Sequence, residues 1–153
     1  MSRSFARFAI LFGLSACASS PALRQETVST ATFAPALNVD LGAMFHTQSG
    51  LYYEDMSIGR GDAARRGSRL TVQYVGWLPD GTMFDRSDPN TPLEVRLGAG
   101  RVIKGWEEGL TGIRAGGMRQ LVVPPDLGYG DRAMDKIPAN SILVFVVRVL
   151  SVN

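Results

Sequence analysis

Residues 141–150 read SILVFVVRVL, an apolar run rich in β-branched side chains and interrupted only by Arg148. A strand sends successive side chains to opposite faces, so a run that is apolar at odd and even positions alike can leave neither face to water. It predicts a central strand buried on both sides. The rest of the chain must supply its neighbours.

Neighbours are available. Residues 69–78, RLTVQYVGWL, alternate Leu70, Val72 and Tyr74 with Thr71, Gln73 and Val75, the period of a half-buried strand. Pro79-Asp80-Gly81 then makes a turn, because proline presets φ and the next two residues tolerate the remaining geometry, and TMFDRS continues a hairpin. Further strands are predicted over 51–58, 93–97 and 118–123, the last stopped by Pro124-Pro125, and a loop over 126–140. One helix is predicted over 104–110. Ile103, Trp106, Leu110 and Ile113 recur at helical spacing, but Gly105 and Gly109 are weak helix formers, so this helix must be held by what it packs on. The expected fold is α+β, an antiparallel sheet wrapped around one short α-helix.

The N-terminus is different. MSRSFARFAILFGLSACASS carries Arg3 and Arg7, then an apolar run from Phe8 to Leu14, then small residues, the layout of a secretory signal that is too short for a permanent membrane span. Leu14, Ser15, Ala16 and Cys17 resemble the lipobox of bacterial lipoproteins, in which cleavage precedes the cysteine and its thiol is acylated. Cys17 is the only cysteine, so it cannot close an internal disulfide, and lipidation would protect a thiol in an oxidising compartment. Ala16-Cys17-Ala18 also fits an ordinary A-x-A signal site, which would discard the cysteine. The expected organisation is a lipoprotein-type signal peptide over 1–16, a lipid anchor and flexible tether over 17–49, and a folded domain over 50–153. Residues 19–49 are assigned to the tether because they are rich in Ser, Thr, Ala and Pro without a sustained period. Val39, Leu41, Met44 and Phe45 offer at most a docking turn. The expected location is the cell envelope, lipid-anchored to a bacterial membrane and facing the periplasm or exterior; with the A-x-A site it is soluble, secreted or periplasmic.

With Arg3 and Arg7 in the leader, 14 basic residues face 14 acidic ones, which gives no footprint for nucleic acid. Arg60, Arg65, Arg66 and Arg69 are read as a solvated loop. One histidine, His46, and one cysteine, both outside the expected domain, supply no catalytic triad and no zinc-ligand cluster. Glu107 and Glu108 are adjacent on the helix, so their carboxylates diverge. Gly98-Ala99-Gly100 precedes a helix, but no parallel βαβ unit surrounds it. No metal and no cofactor are expected. The chemical raw material is aromatic: Tyr74, Phe84, Trp106, Tyr129 and Phe145.

In order, TVQYVGWLPDGTMFDRS, PLEVRLGAGRVIKGWEEGLTGIRAGGMRQLVVPPDLGYG and IPANSILVFVVRVL resemble the FK506-binding-protein (FKBP) type of peptidyl-prolyl cis-trans isomerase, over 51–150. The resemblance implies an enzyme that rotates Xaa-Pro bonds in proline-containing polypeptides, assisting their folding outside the cytoplasm. Its alternative is a low-turnover binding module or chaperone that keeps the same pocket. It implies Trp106 as the floor of an apolar pocket for the proline ring, Tyr74, Phe84, Val102, Ile103 and Phe145 as walls, and Asp85 as the lone carboxylate. Tyr129 and the Ile103 N–H are the implied donors to substrate carbonyls. Ile137 falls on the rim, and Val95 stands where the family often has a second aromatic, implying a smaller wall. FK506- or rapamycin-type macrolides are implied ligands, and a monomer is expected.

Overall fold

The computed structural model describes residues 27–153; the expected signal peptide, Cys17 and the first part of the expected tether lie outside the described residues. Seven strands form one antiparallel sheet: β1 (Phe45–His46), β2 (Tyr52–Ser57), β3 (Arg69–Trp77), β4 (Met83–Arg86), β5 (Leu93–Arg96), β6 (Met118–Val123) and β7 (Leu143–Val152). Their order is β1-β2-β6-β7-β3-β4, with β5 also paired to β3. The two-faced apolar run is thus central, between β6 and β3. The Pro79-Asp80-Gly81 turn forms as predicted: the Gly81 N–H donates to Leu78 O at 3.0 Å and the Thr82 N–H to the Asp80 carboxylate at 2.9 Å.

The one α-helix among the described residues, α1 (Lys104–Gly109), lies on one face of the sheet. Its glycines explain how closely it lies. A Cβ on Gly105 would stand 2.5 Å from Val123 and one on Gly109 would stand 2.7 Å from Leu121, so only glycine lets the helix settle on β6. Leu143, Phe145, Val147 and Val149 of β7 face this side. Arg119 ties the helix end to the sheet. Buried, it donates to the carbonyl of Gly109 at 2.8 Å, forms a two-pronged pair with Asp55 at 2.7 and 2.9 Å, and lies 4.7 Å from the Tyr53 ring centroid. Every face of that buried charge is thereby compensated.

The other face of the sheet overturns an expectation. Residues 27–49 are not a free tether. Two short 3-10 turns, Val28–Thr30 and Pro35–Leu37, and strand β1 fold back on the sheet. Val28, Leu37 and Met44 are buried there against Val122, Ile142 and Val144. Two polar contacts fasten them: the buried Gln120 side chain donates to Leu37 O at 2.7 Å, and the Ala34 N–H donates to Pro79 O at 2.8 Å. The folded unit therefore begins well before residue 50. His46, placed in the tether by the sequence, stacks on Tyr52 at 4.2 Å. The physical reason is that Val122 and Val144, with no exposed surface, would otherwise meet water.

Candidate active site

On the helix face, a cleft of about 320 Å³ opens over α1. Its floor and walls are rings set edge to face: Tyr74 to Trp106 at 5.0 Å and 86°, Trp106 to Phe145 at 5.4 Å and 83°, Phe145 to Phe84 at 5.5 Å and 88°. Such pairs present the positive edge of one ring to the negative face of the next. Trp106 is 4% exposed, and its indole N–H is buried without an acceptor among the described residues. It is at once core and floor.

The sheet explains why four strand residues meet here. Tyr74 and Gly76 share the inward face of β3 with Leu70 and Val72, and Phe145 lies directly across from Gly76 on β7. Phe84 and Asp85 are adjacent, and alternation would send them to opposite faces. A β-bulge resolves this. The register steps from Gly76↔Asp85 to Trp77↔Met83, leaving Phe84 as the extra residue, and bulges re-aim side chains in this way. Both residues line the cleft.

Its polar groups are few. The Tyr74 hydroxyl donates to the Asp85 carboxylate at 2.6 Å, and Asp85 also accepts from the Arg86 N–H at 2.8 Å. Burial, and then the hydrogen bond and charge of Asp85, push the Tyr74 phenol well above its ordinary range. Burial first and the Asp85 charge second raise that of Tyr129. Both hydroxyls accordingly stay protonated, as donors, beyond ordinary alkaline pH. Tyr129 is set by a pinned turn: the Gly128 and Gly130 N–H groups both donate to Pro125 O, at 3.0 and 2.9 Å. Its hydroxyl and the Ile103 N–H donate to no acceptor among the described residues. These are two spare donors on cleft-lining residues.

Eight of the ten candidates named by the sequence thus gather at one cleft: Tyr74, Phe84, Asp85, Val102, Ile103, Trp106, Tyr129 and Phe145. Val95 and Ile137 do not line it. Val95 pairs with Leu70 and is buried in the core, while Leu93, two residues earlier at the strand end, takes the cleft position. Ile137 is turned into the core by a tight exchange with Met134, which is left exposed instead. Sequence reading missed Leu93, Arg101 and Gly76. The first two sit beside recognised motifs; a Cβ on the third would fall 2.7 Å from Phe84 and 2.9 Å from Phe145. Glu107 and Glu108 diverge as expected, the first accepting from the N–H groups of Gly98 and Gly100, the second from Ser49. The Gly98-Ala99-Gly100 loop is therefore already filled by a carboxylate of this chain. A larger hollow of about 640 Å³ lies elsewhere, but its only acid, Asp80, is engaged in the hairpin turn.

The family profile described as FKBP-type peptidyl-prolyl cis-trans isomerase matches residues 61–150. The chain belongs to that family. The FK506-binding protein of Neisseria meningitidis serogroup B is 47% identical over 105 residues, 67% of this chain and 96% of that protein. FK506-binding protein 4 of Chaetomium thermophilum is 46% identical over 104 residues, 68% of this chain, and the match spans only 22% of that protein's length. Among solved FKBP structures, FkpA from Escherichia coli matches with a TM-score of 0.66 and 41% identity over 72% of this chain and 51% of that one. AtFKBP13 matches with a TM-score of 0.66 and 36% identity over 71% of this chain and 97% of that one. The antiparallel sheet on one short helix is the FKBP fold.

Proposed function

We propose that this protein is a peptidyl-prolyl cis-trans isomerase for extracytoplasmic polypeptides, and that it works in the aromatic cleft. The observation that carries the reading is the box of Tyr74, Phe84, Trp106 and Phe145 with two unengaged donors beside it. Rotation of an Xaa-Pro bond is opposed by amide resonance, a barrier of about 20 kcal/mol, and no covalent bond to the enzyme is needed to lower it. The planar amide is strongly dipolar and is stabilised by water; the twisted amide is less so. A dry aromatic box that takes the proline ring therefore favours the twisted form. Tyr129 and the Ile103 N–H hold substrate carbonyls on either side; burial first, and then the Asp85 charge, keeps the Tyr129 phenol protonated for that task, while the Tyr74 hydroxyl stays on Asp85. The same box would take the apolar ring of FK506-type macrolides.

The test is isomerisation of a short Xaa-Pro peptide. The wild type is expected to accelerate it. Tyr129→Phe removes one hydrogen bond, about 1 kcal/mol, and is expected to lower kcat/KM about fivefold without changing the unfolding midpoint. A protein that binds prolyl peptides in the cleft without speeding their isomerisation is a binding module, and the enzyme reading fails.

We further infer attachment to a bacterial membrane through an acylated Cys17, supported by the Leu14-Ser15-Ala16-Cys17 sequence. Two chains would give a stable anchor where one is marginal. Cys17→Ala is expected to move the protein from the membrane to the soluble fraction, and a wild type that never incorporates labelled palmitate overturns the anchor.

A further inference from the structure

We propose that the cleft continues into a second subsite, which binds acidic residues flanking the proline of the polypeptide substrate. This rests on the isomerase reading and adds to it a preference for chain charge. A groove of about 1050 Å³ adjoins the cleft. The two share Leu93, Arg101 and Val102, so a chain seated by its proline ring reaches the groove within its next few residues, at about 3.5 Å each.

Four arginines line the groove, Arg66, Arg69, Arg96 and Arg101, and Glu94 is its only acid. They come from three separate stretches of chain: the approach to β3 and its first residue, strand β5, and the loop before α1. Among the described residues, none of these guanidinium groups donates a hydrogen bond or joins an ion pair; the pair that does form there is Arg119 with Asp55, which lies outside the groove. Arg69 and Arg96 are moreover direct cross-strand partners, on the sheet face opposite the buried pair Leu70 and Val95, so the groove turns round the outer edge of β5 to reach them. Like charges so placed repel, and a carboxylate between them would relieve that repulsion. The aliphatic stem of Arg66 lies over Gly98, where a Cβ would come within 2.6 Å of it, so its position is set by packing. The neighbouring loop N–H groups are already taken by Glu107, which leaves the arginines as the groove's open anion sites.

An acidic peptide fits better than a nucleic acid or a lipid surface. Those partners need an extended basic face, and the chain beyond its leader carries equal numbers of acids and bases. A short groove of planar forks opening from a prolyl cleft suits carboxylates one or two at a time.

The experiment uses the full mature chain and peptides that share one Xaa-Pro core, flanked on either side by Asp/Glu, Ser/Gly or Lys residues. An acidic flank on one side of the proline is expected to raise kcat/KM about tenfold over the neutral peptide at low ionic strength. That gain is expected to vanish near 1 M salt, where the Debye length is about 3 Å. Combining Arg69→Gln with Arg96→Gln should abolish the gain and leave the neutral peptide's kcat/KM unchanged. Equal rates for acidic and neutral flanks, or a gain that survives in the double variant, overturns the proposal. If no peptide is isomerised, the enzyme reading falls and the groove is judged by peptide affinity: tighter acidic binding that needs Arg69 and Arg96 supports it, and equal affinities overturn it. Tighter binding of an oligonucleotide or of anionic vesicles than of the acidic peptide also overturns it.

Discussion

A chain begun at Ser49 is expected to be less stable than one begun at Thr27 by roughly 2–4 kcal/mol, even though it retains every residue of the cleft. The segment buries Val28, Leu37 and Met44, and removing it uncovers Val122, Ile142 and Val144 on the sheet. It also strips the Gln120 side chain of its acceptor, Leu37 O, at a buried position where an unmet donor is costly. Against this stands the chain entropy recovered when the segment is freed, which keeps the net effect below the summed burial. Denaturant unfolding reads both consequences: a lower midpoint, and a smaller slope because less surface is buried. Leu37→Ala isolates one contact and should cost about 2 kcal/mol. Identical unfolding of the two chains would mean that the segment lies on the sheet without stabilising it.

The sequence held a sign of this cover, and the sign was in the strand rather than the segment. SILVFVVRVL is apolar at even as well as odd positions, and the helix face accounts only for Leu143, Phe145, Val147 and Val149. Ile142 and Val144 needed a second layer. Nothing in 27–49 advertised itself as that layer, because single 3-10 turns bury one residue each and leave no period to detect. Strands, hairpin and helix were legible for the opposite reason: their burial repeats every two or every three to four residues.

At the cleft, residue types were legible and their aim was not. Motifs placed Tyr74, Phe84, Asp85, Trp106, Tyr129 and Phe145 together, but simple alternation would have separated Phe84 from Asp85. The bulge that reunites them depends on pairing with β3, which no local pattern encodes. Val95 and Ile137 failed similarly. Both are apolar and close to the motifs, and both turn inward, because depth along β5 and the Met134–Ile137 exchange decide orientation.

Gly76→Ala is expected to lower kcat/KM on the order of 100-fold while costing about 1–3 kcal/mol of stability. The new methyl would stand 2.7 and 2.8 Å from Phe84 ring atoms and 2.9 Å from one of Phe145, where carbon atoms need about 3.5–4.0 Å. Both rings must withdraw from the sheet by about an ångström. Neither can move alone, since Phe84 meets Phe145 edge to face and Phe145 meets Trp106 the same way. The displacement therefore runs from wall to floor, and a misplacement of that size in a site that works by shape is costly. Gly76 touches no substrate; it acts by leaving room for the rings. Shrinking a ring should thus restore part of the loss. Gly76→Ala combined with Phe84→Leu is expected to lose much less than the product of the two single effects, a coupling that independent sites would not show. A stable Gly76→Ala protein with the wild-type rate would mean that the box tolerates the shift, and that its geometry is not what the reaction depends on.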